Sequence, residues 1–212
     1  MTPPKVVIVD YGLGNLRSVA AAVAKVGGAP EVTSDPNAVR GADRIILPGV
    51  GAFGLAAEYL HASGVGPAIV AAADRGTPIL GICLGMQLLF ERGNEFGWSS
   101  GLGLIRGEVL PIWEQNDTGK LRGTHIGWRE LDIRPSQENH SLFKGMAPRD
   151  AFYFVHSFSA KPGADHNVLA SVSYGTRELV VAVGEQNVTG VQFHPEKSGM
   201  AGLGLLGNFL QV

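Results

Sequence analysis

The feature that most constrains the fold is an alternation of short apolar runs with helical segments in roughly the first ninety residues. The runs at residues 5–10, 43–49 and 77–82 are almost continuously apolar, as expected for strands buried on both faces. Segments with helical spacing separate them, and glycines follow where those helices should end. This alternation predicts an α/β fold with a mainly parallel sheet that helices cover on both faces.

The pattern changes after residue 100, where strand-like segments follow one another with little helix between them. These segments lie at residues 104–113, 128–133, 151–158, 167–175, 178–184 and 187–196, and a helix is predicted over residues 199–212. They predict antiparallel strands added to the edge of the sheet, which makes the whole sheet mixed. Because 212 residues suffice for one real core, we expect a single domain over residues 1–212.

Composition excludes several classes of protein. A net charge of −2 gives no reason to expect a nucleic acid or an acidic membrane surface as partner. A single cysteine cannot form an intrachain disulfide, so nothing points to secretion. The first ten residues lack a long apolar core of the kind found in signal peptides. We therefore expect a cytoplasmic protein.

The only cysteine, Cys83, lies in the sequence Gly81-Ile82-Cys83-Leu84-Gly85. A predicted strand ends there and a predicted helix over residues 84–93 begins, which is the layout of a nucleophile elbow. The flanking glycines relieve crowding in the sharp turn, and the partial positive charge of a helix N-terminus favours a thiolate. A buried core cysteine is the alternative, but packing alone does not require glycine on both sides.

Among the six histidines, His194 is the best candidate for the base that a thiol nucleophile needs. It follows an apolar strand in the segment "GVQFHPEKS", where Pro195 blocks continuation of the strand ladder. Residues i and i+2 of an extended segment point to one side, so Glu196 can reach one ring nitrogen of His194 while the other faces the thiol. The three residues would form a triad. Taken alone, His-Pro-Glu is a weak signal, since a histidine at the end of a strand is more often a surface residue; the elbow at Cys83 is what gives it weight.

Glycines are concentrated in the segment "LPGVGAFG" at residues 47–54, directly after a predicted strand. They allow backbone N–H groups to turn toward a developing oxyanion. An ordinary strand-to-helix turn or a phosphate cradle would also use them, although no lysine follows as in a P-loop. The segment "VVIVDYGLGNLRS" partly matches a dinucleotide-binding turn, but Arg17 stands where the third glycine would pack.

Together, "GICLGMQLLF", "PGVG" and "QFHPEKS" resemble, in order and spacing, the class I (triad) glutamine amidotransferases. Within that family the chain looks most like the glutaminase subunits of imidazole glycerol phosphate synthase. That closer resemblance rests on "DYGLGNLRSV", Met86, "GLGLIRGEV", "HIGW", "YFVHSF" and the ending at residues 202–209. It covers essentially the whole chain and implies the class I amidotransferase fold: a central, mostly parallel mixed sheet, helices on both faces, and extra antiparallel strands in the C-terminal half.

The resemblance implies a role for each residue at a motif position. Cys83 would attack the side-chain amide of glutamine, His194 would transfer protons, and Glu196 would orient His194. The expected oxyanion donors are the backbone at Leu84 and at the Gly49–Val50 turn, and the expected substrate contacts are Gly51, Gln87 and Ser157. The expected interface or gating residues are Asn15, His125, Trp128 and Lys197. No cofactor and no metal are expected.

The implied chemistry also calls for a partner, because free ammonia in neutral water is mostly ammonium and not a nucleophile. The resemblance implies a heterodimer with a (βα)8-barrel cyclase subunit, which uses the ammonia to make imidazole glycerol phosphate and an aminoimidazole carboxamide ribotide. Three alternatives stay open from the sequence. They are the glutaminase of another synthase, such as anthranilate or pyridoxal phosphate synthase, a non-catalytic module on the same fold, and a cysteine peptidase-like hydrolase.

Overall fold

The structure, a computed structural model, describes residues 3–115 and 123–212. The strands are β1 (Lys5–Val9), β2 (Ala29–Thr33), β3 (Arg44–Gly49), β4 (Ile79–Cys83), β5 (Phe90–Asn94), β6 (Trp98–Ser100), β7 (Ile105–Pro111), β8 (His125–Glu130), β9 (Asp132–Ile133), β10 (Ala151–His156), β11 (Phe158–Pro162), β12 (Val168–Tyr174), β13 (Arg177–Glu185) and β14 (Val188–Val191). The α-helices are α1 (Leu16–Lys25), α2 (Pro36–Arg40), α3 (Phe53–Ala62), α4 (Val65–Asp74), α5 (Leu84–Leu88) and α6 (Gly199–Phe209).

The main sheet runs in the order β2-β1-β3-β4-β14-β13-β11-β7-β5-β6, with β12 attached to β13 and β9 to β12. Strands β2, β1, β3, β4 and β14 are parallel to one another. From β14 the sheet continues through the antiparallel strands β13, β11 and β7. Strands β8 and β10 form a separate antiparallel ribbon. The predicted α/β fold is confirmed, with a parallel N-terminal region and antiparallel additions from the second half of the chain.

The core lies on both faces of the sheet, as continuous apolar strands require. Alternate side chains of β1 point to opposite faces: Val7 and Val9 pack with α2, α3 and α4, whereas Val6 and Ile8 pack with α1 and α6. The ribbon strand β10 covers the second face through Phe152 and its neighbours. The carboxyl ends of β3, β4 and β14 are thereby held rigidly side by side.

The predicted helix at residues 84–93 is wrong beyond Leu88, because residues 90–94 form β5 instead. In β5, Phe90 and Gly93 are buried while Glu91 and Arg92 are exposed, and the strand pairs with β7 and β6. A Cβ on Gly93 would lie 2.8 Å from the ring of Phe53, so the glycine lets β5 pack closely on α3. Likewise, the single strand predicted at residues 128–133 divides into β8 and β9, which belong to different sheets.

No helix in the described part of the chain is both long and apolar enough to cross a membrane.

Candidate active site

Cys83 occupies the sharp turn between β4 and α5. Its φ is 56° and its ψ is −112°, a left-handed conformation that costs a non-glycine residue about 1–3 kcal/mol. The flanking glycines are needed for close packing: a Cβ on Gly85 would lie 1.6 Å from the carbonyl oxygen of Leu47, and one on Gly81 would lie 2.7 Å from that of Gly85. The strained turn and its flanking glycines therefore act together to present the sulfur at the edge of the sheet. Because α5 has only five residues, its dipole is a smaller help to a thiolate than the predicted helix would have been.

Parallel registry brings the other parts of the site to the same edge. Gly49, the last residue of β3, pairs with Cys83 at the end of β4. On the opposite side of β4, Val191 pairs with Ile82, so the chain leaving β14 passes beside Cys83. That departing segment carries His194 into the site.

His194 and Glu196 form a buried pair. The Nδ1 atom of His194 lies 2.9 Å from Oε1 of Glu196, and the two side chains are only 3% and 1% exposed. Because a carboxylate can only accept, Nδ1 carries a hydrogen and Nε2 is left to face the sulfur. The backbone N–H of His194 donates to the carbonyl of Tyr153, and the hydroxyl of Ser198 donates to the carbonyl of His194. These bonds hold the imidazole between the carboxylate and the thiol.

The electrostatics of the pair favour a charged imidazole. Burial alone would lower the pKa of His194, but interaction with Cys83 and with Glu196 outweighs burial and raises the pKa to about 9. Among the described residues, Nε2 of His194 has no hydrogen-bond partner, although the imidazole and Cys83 line the same pocket. Such looseness is common before substrate binds. An imidazolium beside a sulfur can later protonate a leaving group.

A pocket of about 310 Å³ opens onto the sulfur and the imidazole. The predicted residues that line it together with Cys83 and His194 are Val50, Gly51, Leu84, Gln87 and Ser157. The pocket therefore brings together every predicted oxyanion and substrate residue except Gly49. Gly49 is the strand partner of Cys83 in the β3–β4 pairing and does not line the pocket. A larger, more open cleft of about 570 Å³ lies near Glu91 and Lys161, but its lining contains no cysteine, serine, threonine or histidine.

Tyr11 supports the turn after β3, and sequence reasoning missed it. Its hydroxyl donates to the carbonyl of Pro48 at 2.7 Å, and a Cβ on Gly49 would lie 1.9 Å from that hydroxyl oxygen. Burial, followed by the proximity of Cys83, raises the pKa of Tyr11 far above its usual value, so the hydroxyl stays a donor. Position 49 therefore requires glycine because Tyr11, just after the neighbouring strand β1, leaves no room for a side chain, in addition to any requirement of the turn.

The four residues predicted for a partner interface do not share one environment. Trp128 is 52% exposed and packs edge-on against Tyr153, and the ammonium of Lys197 lies 5.8 Å from the ring centre of Tyr153. Asn15 is half-buried just before α1, without a side-chain cap to that helix. His125 is completely buried, so in this structure it cannot contact a docking protein directly. The burial of His125, the first residue of β8, could not be predicted from the sequence.

His125 instead forms a buried pair with His156, which lines the pocket. Nδ1 of His156 lies 2.8 Å from the carbonyl of Phe158 and must donate to it, so its Nε2 accepts from Nδ1 of His125 at 2.9 Å. Desolvation, together with Arg129, lowers the pKa of His125 to about 4. Desolvation likewise lowers the pKa of His156 to about 3, despite the bond to Phe158. Both rings are neutral at physiological pH and fix the strand that borders the pocket.

No group of three or more histidine, cysteine, aspartate or glutamate side chains within residues 3–115 and 123–212 is arranged to hold a metal ion.

Comparisons with known proteins agree with this geometry. The family described as glutamine amidotransferase class-I matches residues 7–211. The imidazole glycerol phosphate synthase subunit HisH of Syntrophotalea carbinolica is 44% identical over 206 residues, covering 96% of this chain and 98% of that protein. Its counterpart in Lactococcus lactis subsp. lactis is 43% identical over 208 residues, covering 98% of both. The PurLQS structure from Thermotoga maritima superposes with a TM-score of 0.72 at 24% identity, covering 100% of this chain and 99% of that one, which supports the fold.

Proposed function

Because this chain belongs to the class-I glutamine amidotransferase family, and within it to the HisH subunits of imidazole glycerol phosphate synthase, we propose that it is the glutaminase of such a synthase. In this role it hydrolyses L-glutamine and passes ammonia to a cyclase subunit. The observation that carries the proposal is the arrangement of Cys83, His194 and Glu196. A strained cysteine and a carboxylate-bound imidazole share one pocket, and burial excludes most water from both.

The first half of the proposed reaction releases ammonia. The sulfur of Cys83 attacks the carboxamide carbon of glutamine, and the carbonyl oxygen becomes an oxyanion. Backbone N–H groups of Leu84 and the Gly49–Val50 turn are the proposed donors to that oxyanion, and removal of one such donor typically costs about 100-fold or more in rate. The imidazolium of His194 gives its Nε2 proton to the leaving nitrogen, so ammonia departs and a thioester remains.

The second half restores the enzyme. Neutral His194 takes a proton from water as the water attacks the thioester carbon. The tetrahedral intermediate then breaks its C–S bond, which restores the Cys83 thiolate and releases glutamate. Glu196 holds the imidazole in one orientation and stabilises its charged form in both halves, since Nδ1 stays bonded to the carboxylate. The proposed contacts of the glutamine substrate are Gln87, Gly51 and Ser157, which lie in the same pocket as the sulfur.

The proposed partner is a cyclase subunit with a (βα)8-barrel fold. It would form a heterodimer with this chain, cover the pocket and take up the ammonia. Trp128 and Lys197 support a docking surface here, since both are exposed and both pack on Tyr153. The carbonyl of Tyr153 accepts the backbone N–H of His194, so this surface is joined to the proposed base by one hydrogen bond. We expect Lys197 to pair with a partner carboxylate and to couple docking to the oxyanion turn.

The proposed chemistry also bears on the cellular compartment. A glutaminase that depends on its single thiol loses activity when that thiol is oxidised. Reducing compartments keep thiols free. We therefore propose that the protein works in the cytoplasm.

The direct test is an assay of glutamate release by the chain alone and then with the barrel subunit and its acceptor ligand. We expect little release from the free chain and a large stimulation by the loaded partner. Lys197→Ala should reduce the stimulation, while Lys144→Ala, which removes an exposed lysine elsewhere, should not. Absence of glutamate release in the presence of the loaded partner would contradict the proposed function, and unchanged stimulation in Lys197→Ala would contradict the proposed coupling.

A further inference from the structure

Gln192 is a buried polar residue that the triad does not explain. Its side chain is completely buried, yet its amide nitrogen Nε2 lies 3.7 Å from the sulfur of Cys83, within hydrogen-bonding range for sulfur. A buried amide is costly unless its polar atoms are bonded. The sulfur therefore has a polar neighbour in the amide of Gln192, in addition to the imidazole of His194 that lines the same pocket.

The direction of that amide is dictated by a chain of hydrogen bonds. The carbonyl of Phe158 can only accept, so the atom of Gln87 that lies 3.4 Å away must be its nitrogen. The same nitrogen lies 3.0 Å from Gln192, which must present its oxygen there. The nitrogen of Gln192 is thereby turned toward Cys83. The orientation of both side-chain amides thus follows from the backbone carbonyl of Phe158. It leaves an N–H donor of Gln192 directed at the sulfur.

The position of Gln192 follows from the sheet. Val191 pairs with Ile82, so the next residues along the two parallel strands, Gln192 and Cys83, lie at one level. The chain bends at residues 192 and 193, and His194, two residues after Gln192, lines the pocket beside Cys83. One short segment thus supplies both neighbours of the nucleophile.

We propose that Gln192 is a further residue of the nucleophile site, which stabilises the Cys83 thiolate through its N–H donor. Gln87 acts on the sulfur through Gln192, as a positioning residue. Because Cys83 is only 7% exposed, solvent water provides little of this stabilisation. The inference rests on the proposed function only in treating the sulfur as the attacking atom, since the contact itself involves neither glutamine nor the partner.

Alkylation of the thiol tests this inference without glutaminase activity. Cys83 is the only cysteine, so incorporation of iodoacetamide, followed by intact mass spectrometry between pH 5 and pH 9, reports on it alone. Gln192→Met keeps the shape and removes the donor, and Gln192→Glu keeps an oxygen toward Gln87 while an ionised carboxylate replaces the donor. We expect alkylation to slow about tenfold at pH 7 in Gln192→Met, with the profile displaced to higher pH, and at least as much in Gln192→Glu.

Two comparisons separate this role from loss of structure. Thr189→Val, on the strand β14 that leads to Gln192, removes a side-chain hydrogen bond to the carbonyl of Ile79 on β4 and should leave the alkylation profile unchanged. Gln87→Met should slow alkylation in the wild-type background and have no added effect in Gln192→Met. Wild-type profiles in both Gln192 variants, or a full added effect of Gln87→Met, would overturn the inference. If the chain releases no glutamate but the variants shift the profile, the proposed function fails and this inference stands.

Discussion

The buried pair of His125 and His156 should make the fold sensitive to mild acid. Their pKa values of about 4 and about 3 lie well below the 6.5 of an exposed histidine. Below pH 6.5 these two histidines are therefore protonated in the unfolded chain but stay neutral in the folded protein. The free energy of unfolding consequently falls as the pH falls. The other strongly shifted histidine, His194, has a raised pKa of about 9 and changes stability only between about pH 6.5 and 9.

The size of the effect follows from the two shifts. Between pH 7 and pH 5.5 each buried histidine should cost about 1 kcal/mol, or about 2 kcal/mol for the pair. A loss of that size is a large part of the 5–15 kcal/mol that usually separates folded from unfolded domains. His140, whose pKa is also lowered by burial, adds in the same direction.

Urea unfolding at pH 7, 6.5, 6 and 5.5 measures this loss. The variant His125→Asn keeps a donor toward His156 and removes one titrating ring, so the difference between pH 7 and pH 5.5 should shrink by about 1 kcal/mol relative to the wild type. Stability that does not fall between pH 7 and pH 5.5, or an equal fall in wild type and variant, would refute the neutral, buried state of the pair.

Three further predictions concern the elbow and the triad. Glu196→Gln keeps the shape of the side chain but removes its charge, so the pKa of His194 should fall well below 9 and partner-stimulated glutamate release should drop by about 100-fold or more, measured by steady-state kinetics. Gly85→Ala places a Cβ against the carbonyl of Leu47 and should lower the free energy of unfolding by about 3 kcal/mol or more, whereas Gly204→Ala in α6 meets open space and should not destabilise; urea titration compares the two. Cys83→Ala removes one of the two interactions that raise the pKa of His194, so its titration midpoint in nitrogen-15 imidazole NMR spectra should fall from about 9, and an unchanged midpoint would show that the sulfur does not interact with the ring.

The parts of the site that depend on neighbouring residues in sequence could be predicted. The glycines around Cys83 indicate a tight turn whatever the rest of the chain does. The pairing of His194 with Glu196 was also predicted and is present, but Pro195–Lys197 form a 3-10 turn instead of the extended segment expected, and that turn brings the carboxylate to the imidazole. The strands that carry them were also readable, since continuous apolar runs and helical segments differ in period. These local signals account for the fold class and for the pairing of imidazole and carboxylate.

The remaining contacts depend on registry between distant segments, which one sequence does not reveal. Nothing in the sequence distinguishes Gln192 from an ordinary strand residue, and its position beside Cys83 depends on the pairing of β14 with β4. The contact of Tyr11 with the turn after β3 likewise depends on β1 lying next to β3. Burial of His125 arises from the packing of the β8–β10 ribbon on the sheet. The segment at residues 90–94 was misassigned because its short apolar start suits a helix or a strand, and pairing with β7 decides the outcome.

The central claim, that Cys83 attacks glutamine as part of one unit with His194 and Glu196, is tested most directly by covalent trapping. The chain, bound to the loaded barrel subunit, is treated with 6-diazo-5-oxo-norleucine, digested and mapped by mass spectrometry. The account predicts one adduct per chain, on the peptide that contains Cys83, and little adduct in His194→Asn. An adduct on another residue, or glutamate release by Cys83→Ala at the wild-type rate, would contradict it.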